Sequence, residues 1–270
     1  MPPEDMANGL APGARPDALL SVEGVSVRFG GVIALDDVSF RVARGQICGL
    51  IGPNGAGKTT LFNCISRLYQ PSAGDIRYEG RPLSKVRVHE IAELGVARTF
   101  QNLALFSTMT VRENVAVGAH ACARGGFLAN AFSSPQARRA EREIAAVADA
   151  LIEECRLQHV ADRYVGELPF GVKKRVELAR ALAISPKLLL LDEPAAGLNH
   201  EEVDALASEI VRMRDRRGLS VLLVEHHMNL VMRISDQVVA LDFGRVIADG
   251  TPGAVRAHPD VIRAYLGSAA

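Results

Sequence analysis

A glycine-rich segment carries the clearest chemical signal in this sequence. Its residues are Gly52, Pro53, Asn54, Gly55, Ala56, Gly57, Lys58, Thr59 and Thr60. Closely spaced glycines let the backbone aim several N–H groups at one anion, and a helix N-terminus adds positive potential. A lysine and a hydroxyl at this spacing suit the β- and γ-phosphates and a Mg²⁺ ion, respectively. The segment therefore predicts a P-loop that binds a nucleoside triphosphate, with a ligand-free glycine turn as the alternative.

An aliphatic run that ends in two carboxylates is the second signal. Leu188–Leu191 has the length and composition of a buried strand, and Asp192 and Glu193 follow it directly. A strand holds Asp192 rigidly beside a metal ion, while Glu193 lies where it can polarise a water molecule. Alone, such a strand end is common and mostly structural. Together with a P-loop, it predicts the second half of a phosphoryl-transfer site that uses Mg²⁺.

The composition limits what kind of protein can carry this site. The chain has 270 residues, and 31 Lys and Arg balance 31 Asp and Glu. A net charge of zero argues against a broad basic face for nucleic acid. The longest aliphatic runs have strand length, well short of the ~18 to 20 apolar residues of a membrane span. We expect no membrane-spanning segment and no signal peptide.

The elements that must position these residues alternate in type along the chain. Short β segments are predicted over residues 19–42 and 46–51, and a short helix over 87–93. Further strands are predicted at 96–100, 188–191, 221–224 and 238–241, the last three alternating with helices. Strands that alternate with helices indicate a parallel sheet covered on both faces.

A helical period interrupts this alternation between about residues 101 and 166. Thr110 is predicted to cap a helix, with Glu113 three residues later. One apolar helix face is predicted from Ile144, Val147, Leu151 and Cys155.

The predicted fold class is therefore α/β, a P-loop NTPase core with an N-terminal β-subdomain and an inserted helical subdomain. Residues 1–17 contain four prolines and are predicted to form a disordered tail. Residues 18–270 are predicted to form one domain. Within it, residues 18–100 and 181–270 are predicted to form the core, and about 101–180 the helical subdomain.

The order of motifs resembles the ATP-binding-cassette (ABC) ATPases over roughly residues 20–266. The stretches that carry the resemblance are the P-loop, Arg98-Thr-Phe-Gln-Asn102, Leu168-Pro-Phe-Gly-Val-Lys-Lys-Arg-Val-Glu-Leu-Ala-Arg180, Leu191-Asp-Glu-Pro194 and Val224-Glu-His226. The resemblance implies an ABC ATPase fold, ATP and Mg²⁺ as ligands, and ATP hydrolysis as the activity.

The resemblance also implies a role for individual residues. Glu193 would be the catalytic base and His226 the switch histidine on the γ-phosphate. Gln101 would be the Q-loop glutamine, which contacts Mg²⁺ and water and shares the metal with Thr59 and Asp192. Phe29 would stack on adenine. The signature segment, which binds ATP held by another subunit, would consist of Leu168, Pro169, Phe170, Gly171 and Val172.

Further stretches resemble one branch of this family, the LivG-type ATPases of high-affinity branched-chain amino acid importers. The more discriminating ones are Ala195-Ala-Gly-Leu-Asn199 and Met228-Asn-Leu-Val-Met232. This branch implies a second ABC ATPase partner in a heterodimer, or a second copy in a homodimer. It also implies two membrane permease subunits, a periplasmic solute-binding protein acting indirectly, no nucleic acid, and a peripheral location on the cytoplasmic face of the inner membrane.

Several alternatives stay open at this point. Relatives of this branch serve urea, amides or aromatic solutes, and lipopolysaccharide exporters share the Arg-Thr-Phe-Gln start. Translation-associated ABC proteins normally carry two cassettes, whereas this chain has one. A pure scaffold would have lost Lys58, Glu193 or His226, and all three are present.

The signature segment departs from the family pattern. Pro169 replaces the usual serine and supplies neither a hydroxyl nor a backbone N–H. Asn199 stands where an aspartate is usual, and His227 follows the switch histidine. The first two changes put one of two composite ATP sites in doubt.

Overall fold

The computed structural model describes residues 18–100, 103–120 and 135–267. The predicted disordered tail and Gln101 therefore lie outside the described residues. Ten strands are described: β1 (Ala18–Phe29), β2 (Val32–Ala43), β3 (Ile47–Ile51), β4 (Ala73–Tyr78), β5 (Arg81–Pro82), β6 (Val96–Arg98), β7 (Leu188–Asp192), β8 (Ser220–Val224), β9 (Gln237–Asp242) and β10 (Arg245–Gly250).

Eight α-helices are described over the same residues. They are α1 (Lys58–Ile65), α2 (Val111–His120), α3 (Pro135–Glu154), α4 (Phe170–Leu182), α5 (His200–Arg217), α6 (Met228–Ile234), α7 (Pro252–Arg256) and α8 (Pro259–Gly267). The described helices α2, α3 and α4 all fall between β6 and β7 in the chain. None of the described helices is long and apolar enough to cross a membrane.

The strands form two sheets. A six-stranded sheet has the order β10-β9-β3-β8-β7-β6 and is parallel except for the antiparallel edge strand β10. An antiparallel sheet has the order β2-β1-β4-β5. The predicted α/β class and parallel core sheet are confirmed.

The parallel strands are apolar throughout because both faces of their sheet are buried. Leu189 and Leu191 on β7 face a core formed with the helices between β6 and β7 and with α5 and α6. Leu188 and Leu190 on the same strand face a second core, shared with α1 and the antiparallel sheet. Since neighbouring residues of a strand point to opposite faces, one aliphatic run serves two cores.

The N-terminal region is more regular than the sequence predicts. Residues 18–43 form two 12-residue strands rather than several short segments, and they pair along most of their length. Strand β4 continues this sheet beyond Pro71, where no strand is predicted. The predicted helix over 87–93 is a single 3-10 turn, Val88–Glu90.

One prediction about the α3 face is wrong. Val147 is 38% exposed, whereas Ala148 is fully buried beside Leu151. A helix has 3.6 residues per turn, so positions i+3 and i+4 both lie near the face of Ile144, and packing selects the second. The predicted cap of α2 is confirmed, because the Thr110 hydroxyl accepts from the Glu113 N–H at 3.2 Å and the Glu113 carboxylate accepts from the Thr110 N–H at 2.7 Å.

Candidate active site

The P-loop joins the end of β3 to the start of α1 and requires glycine at two positions. Gly52 has a φ of 149°, and a Cβ there would lie 2.2 Å from the Leu241 carbonyl oxygen. Gly57 has a φ of 100°, and a Cβ there would lie 2.6 Å from the Ala34 oxygen. Backbone atoms cannot give way at such distances, so only glycine fits. The predicted residues Pro53, Asn54, Gly55, Ala56, Thr59 and Thr60 lie in this loop and the first turn of α1.

The Lys58 side chain folds back over the loop. It is 6% exposed, and its Nζ donates to the carbonyl oxygens of Gly52 at 2.7 Å and Pro53 at 2.9 Å. Burial lowers the pKa of Lys58, while the charges of Glu193 and Asp192 oppose that shift. The structure therefore brings the predicted lysine and both predicted carboxylates together.

A largely buried arginine, Arg98, pairs with Asp192 at the end of β7. Asp192 is 5% exposed, and its Oδ2 accepts from Arg98 Nη2 at 2.9 Å. The other Arg98 nitrogen, Nη1, donates to the side chains of Asn63 at 2.8 Å and Ser66 at 3.1 Å, both at the end of α1. Arg98 thereby ties three elements, β6, β7 and α1. Sequence reasoning quotes Arg98 within a motif and assigns it no role.

Glu193 lies directly against His226. Glu193 Oε1 and His226 Nε2 are 2.6 Å apart, and the side chains are 17% and 41% exposed. The Glu193 backbone has a φ of 48°, an unusual value for a residue with a Cβ. This conformation is held by a hydrogen bond from the Glu193 N–H to the Val224 oxygen at 2.9 Å and by one from the Ala196 N–H to the Glu193 oxygen at 3.1 Å. Local strain of this kind is common where a side chain must be aimed.

Two further residues support this site and are missed by sequence reasoning. The Glu225 carboxylate, 1% exposed, accepts hydrogen bonds from the backbone N–H groups of Ala195, His226 and His227. The Tyr265 hydroxyl on α8 accepts from the Gly52 N–H at 2.9 Å, and burial raises the pKa of that tyrosine. A carboxylate at the end of a buried strand is a signal that points to Glu225. Tyr265 has no local signal, since 213 residues separate it from its partner.

Phe29 lies at the tip of the β1–β2 hairpin. Its side chain is 46% exposed, and its ring contacts that of Tyr69 edge-on, with centroids 5.2 Å apart. An exposed aromatic face that is braced at its edge suits stacking on a planar base. Tyr69 is a further residue that sequence reasoning misses.

The signature segment lies at the start of α4. Leu168 is buried, Pro169 is the N-cap residue, and Phe170 is 45% exposed with Lys174 Nζ 5.6 Å from its ring centre. A Cβ on Gly197 would lie 3.0 Å from the Phe170 ring, and one on Gly171 would lie 2.5 Å from Glu202 Oε1. Val172 is half-buried on the first turn of α4. Phe170 and Gly171 thus lie against the loop 195–199 and the start of α5.

The donor atoms near the P-loop suit Mg²⁺. Thr59 is exposed on the first turn of α1 and offers a hydroxyl oxygen, and Asp192 offers a carboxylate. The described residues contain no group of three His, Cys, Asp or Glu side chains that could hold a metal by themselves. Mg²⁺ prefers hard oxygen ligands and is usually held by one or two protein groups together with substrate phosphates. The residues present therefore fit this ion.

Comparisons with known proteins agree with this geometry. A model of the ABC transporter family matches residues 35–196, and a model described as branched-chain amino acid ATP-binding cassette transporter matches residues 245–270. The high-affinity branched-chain amino acid transport ATP-binding protein BraF of Pseudomonas aeruginosa is 47% identical over 93% of this chain and 98% of its own length. LivG of Escherichia coli K12, with the same descriptive name, is 43% identical over the same shares of both chains.

Solved structures show the same fold. The ADP conformation of MJ1267, an ATP-binding cassette of an ABC transporter, has a TM-score of 0.80 and 31% identity over 93% of this chain and 99% of its own. A nucleotide-free ATP-binding cassette also has a TM-score of 0.80, with 30% identity over 92% and 98%. The chain belongs to the ABC transporter ATP-binding family. The predicted family, ABC ATPase fold and ATPase class are thereby confirmed.

Proposed function

We propose that this chain hydrolyses ATP to drive the import of branched-chain amino acids. The proposed solute class is supported by the match of residues 245–270 to the branched-chain family model and by the names of the two bacterial relatives. The Glu193–His226 pair carries the chemistry, because it holds a carboxylate beside the phosphate loop in a fixed orientation. In this proposal residues 18–270 act as one ATPase domain with a helical subdomain at about 101–180.

Lys58 is proposed to bind the β- and γ-phosphates. Its ammonium is buried and makes charge-assisted bonds to two carbonyl oxygens, and phosphate oxygens would supply acceptors that carry the opposite charge. The Coulomb attraction between an ammonium and a phosphate then adds to the hydrogen bonds. The low polarity that lowers the lysine pKa without phosphate also strengthens its attraction for phosphate.

Glu193 is proposed as the base and His226 as its orienting partner. A general base must lie within hydrogen-bond reach of the proton it accepts, and Glu193 projects from the strand end next to the P-loop lysine. Its short contact with His226 leaves the carboxylate one preferred direction. His226 is the more exposed of the two side chains. Because a neutral imidazole carries one N–H, His226 would donate to a γ-phosphate oxygen by turning its Nε2–H from Glu193 to the phosphate when ATP binds.

Thr59, Asp192 and Gln101 are proposed to hold Mg²⁺, and Phe29 to stack on adenine. Mg²⁺, when bound, neutralises charge on the phosphate oxygens. Arg98 fixes the Asp192 carboxylate by bonding to one of its oxygens, which prevents the side chain from swinging away from the site. Gln101 enters this set through the family resemblance.

The signature segment is proposed to close on ATP held by a second ABC ATPase. Leu168, Pro169, Phe170, Gly171 and Val172 lie at the start of α4, where backbone N–H groups and the helix dipole attract phosphate. Phe170 is exposed, as a residue that meets another molecule would be. In the proposed assembly, this chain forms a heterodimer with a similar ATPase. The dimer binds two permease subunits at the cytoplasmic face of the inner membrane, and a periplasmic binding protein delivers the solute.

Uptake by reconstituted transporter tests this function. The chain is combined with its partner ATPase, permeases and binding protein in ATP-loaded proteoliposomes, and uptake of labelled leucine, urea and phenylalanine is measured. We expect ATP-dependent leucine uptake that is abolished by Glu193→Gln and unaffected by Glu143→Gln, a change on the exposed face of α3. Uptake of urea or phenylalanine without leucine would contradict the branched-chain assignment.

A further inference from the structure

Glu225, which is 1% exposed, is the most completely buried carboxylate near the proposed base. Among the described residues, its hydrogen-bond partners are backbone N–H groups outside the P-loop. Its Oε1 accepts from the Ala195 N–H at 2.6 Å. Its Oε2 accepts from the N–H groups of His226 at 3.0 Å and His227 at 3.2 Å. The two oxygens thus hold two different segments, the loop after Glu193 and the turn that starts α6.

These bonds close a ring of interactions around the proposed base. From Glu193 the chain runs two residues to Ala195, whose amide is bonded to Glu225. Glu225 is joined covalently to His226, and His226 contacts Glu193 at 2.6 Å. Every link in this ring is a covalent bond or a hydrogen bond of 3.0 Å or less, so the separation of the base and the histidine depends on where Glu225 holds Ala195.

We propose that Glu225 is a positioning residue that sets the Glu193–His226 geometry by bridging the loop after the base to the turn that carries the histidine. The inference rests on the proposed function, because it concerns the same site. Burying a carboxylate is costly unless its oxygens are hydrogen-bonded. Three amides meet that need here, and they belong only to the two segments that must stay in register.

The chemistry of the bridge requires two acceptor oxygens. A glutamine has the same shape but one acceptor, and its NH₂ group is a donor only. Glu225→Gln therefore places an NH₂ against an N–H on one side of the bridge, whichever way the amide is oriented. Either the Ala195 bond or the pair of histidine bonds is lost, and the two segments are released from each other.

Kinetics of Glu225→Gln, alone and with His226→Ala, test the proposal. In the otherwise unaltered protein we expect kcat to fall about 10- to 100-fold, as displaced catalytic groups do, with the Kd for ATP changed less than about twofold because Lys58 is untouched. In the His226→Ala background, Glu225→Gln should lower kcat less than about twofold, because the geometry it maintains no longer matters. Unchanged kcat, or equal losses in both backgrounds, would overturn the proposal.

Spectroscopy gives a readout that does not depend on turnover. In ¹⁵N-histidine-labelled protein, the imidazole signal of His226 should shift in Glu225→Gln. It should not shift in Glu209→Gln, which makes the same change at a buried carboxylate on α5 that pairs with Arg212. An identical His226 signal in both variants would also overturn the proposal. If Glu225→Gln does not fold, Glu225→Asp, one methylene too short to span both segments, is carried through the same measurements with the same expectations.

The outcomes separate this inference from the function beneath it. If Glu193→Gln retains wild-type hydrolysis, the proposed base is wrong and the function fails. If Glu193→Gln is inactive while Glu225→Gln matches the unaltered protein, the function stands and the positioning role fails.

Discussion

The P-loop side and the signature side of this chain are built in opposite ways. On the P-loop side the charged groups have partners from their own chain. Lys58 donates to loop carbonyl oxygens, Asp192 accepts from Arg98, and Glu193 contacts His226. On the signature side, Phe170 is exposed and the N-cap Pro169 makes no side-chain hydrogen bond to cap α4. The P-loop side is therefore organised by contacts within the chain, whereas the signature side leaves Phe170 accessible to the proposed second ATPase.

This difference shows how the side-chain positions of each half-site are fixed. Groups that act on the chain's own nucleotide are fixed by hydrogen bonds within one fold, which reduces reorganisation during reaction. In the proposed assembly, the signature groups would reach their final geometry only when the second ATPase binds. The two lysines after the signature are an exception on that side, because Lys174 lies over the Phe170 ring and Lys173 donates to the Gly166 oxygen at 3.0 Å.

The largest loss of activity is expected when the proposed base on the P-loop side is removed. Glu193→Gln keeps the shape but not the proton acceptor, so kcat for ATP should fall by roughly 10²- to 10⁴-fold while ATP affinity is nearly unchanged. The variant should also remain as a closed dimer with ATP, measured by size-exclusion chromatography. Glu143→Gln on α3 is the control, and near-wild-type hydrolysis by Glu193→Gln would refute its role.

Removing the P-loop charge should act on binding instead. Lys58→Ala deletes a charge-assisted contact worth about 1.5 to 3 kcal/mol, so the Kd for ATP should rise about 10- to 150-fold. Titration with a fluorescent nucleotide measures this. The control is Lys187→Ala, a lysine that is paired with Glu79 on the surface. Equal affinity in Lys58→Ala and the unaltered chain would rule out the P-loop assignment.

The contrast between the two sides predicts unequal ATP sites in the assembled transporter. The site on this chain's own P-loop should hydrolyse, whereas the proposed opposite site would be closed by Pro169 in place of a serine. One missing hydrogen bond to a charged group costs about 1.5 to 3 kcal/mol, or about one to two decades of rate. Single-turnover hydrolysis should therefore suffer more from Glu193→Gln than from the matching change in the partner ATPase.

The sharpest version of that experiment restores the missing hydroxyl. Pro169→Ser should bring the single-turnover rate of the opposite site closer to that of the first. Equal losses from the two carboxylate changes, with no gain from Pro169→Ser, would mean that the two sites are equivalent.

The smallest effect is expected at the base-stacking position. Base–aromatic stacking is worth about 1 to 3 kcal/mol, and the half-exposed Phe29 should contribute near the lower end. Phe29→Ala should raise the KM for ATP about fivefold, since ~1 kcal/mol corresponds to that factor, with kcat unchanged. The control is Tyr164→Ala, at another exposed aromatic residue. An unchanged KM in Phe29→Ala would place adenine elsewhere.

The sequence predicts the phosphate side well because its residues lie in short contiguous motifs. The P-loop glycines, Lys58 and the two carboxylates after Leu191 each lie at the end of a strand whose pattern is plain, and parallel strands bring such ends to one edge. Their proximity follows from topology alone. Their individual roles are proposals that the variants above test.

What the sequence does not predict depends on packing between distant segments. Arg98 is hydrogen-bonded to Asp192, which lies 94 residues away in the sequence, and Tyr265 is hydrogen-bonded to Gly52, which lies 213 residues away. Strand β4 is six residues long and contains Gly74, so its own pattern is weak, and it is identified by pairing with β1. The α3 face is misassigned at Val147 because helical periodicity allows two neighbouring positions and only the packed core distinguishes them.

The hydrogen bond from Gly52 to Tyr265 has a consequence for how the protein is made. A ribosome produces the chain from its amino end, at about 5 to 20 residues per second, so the tyrosine follows its glycine by roughly 10 to 40 seconds. Throughout that interval the first peptide of the P-loop lacks the support of α8. The phosphate loop of a nascent chain therefore reaches its final form only after the segment that contains Tyr265 has been synthesised.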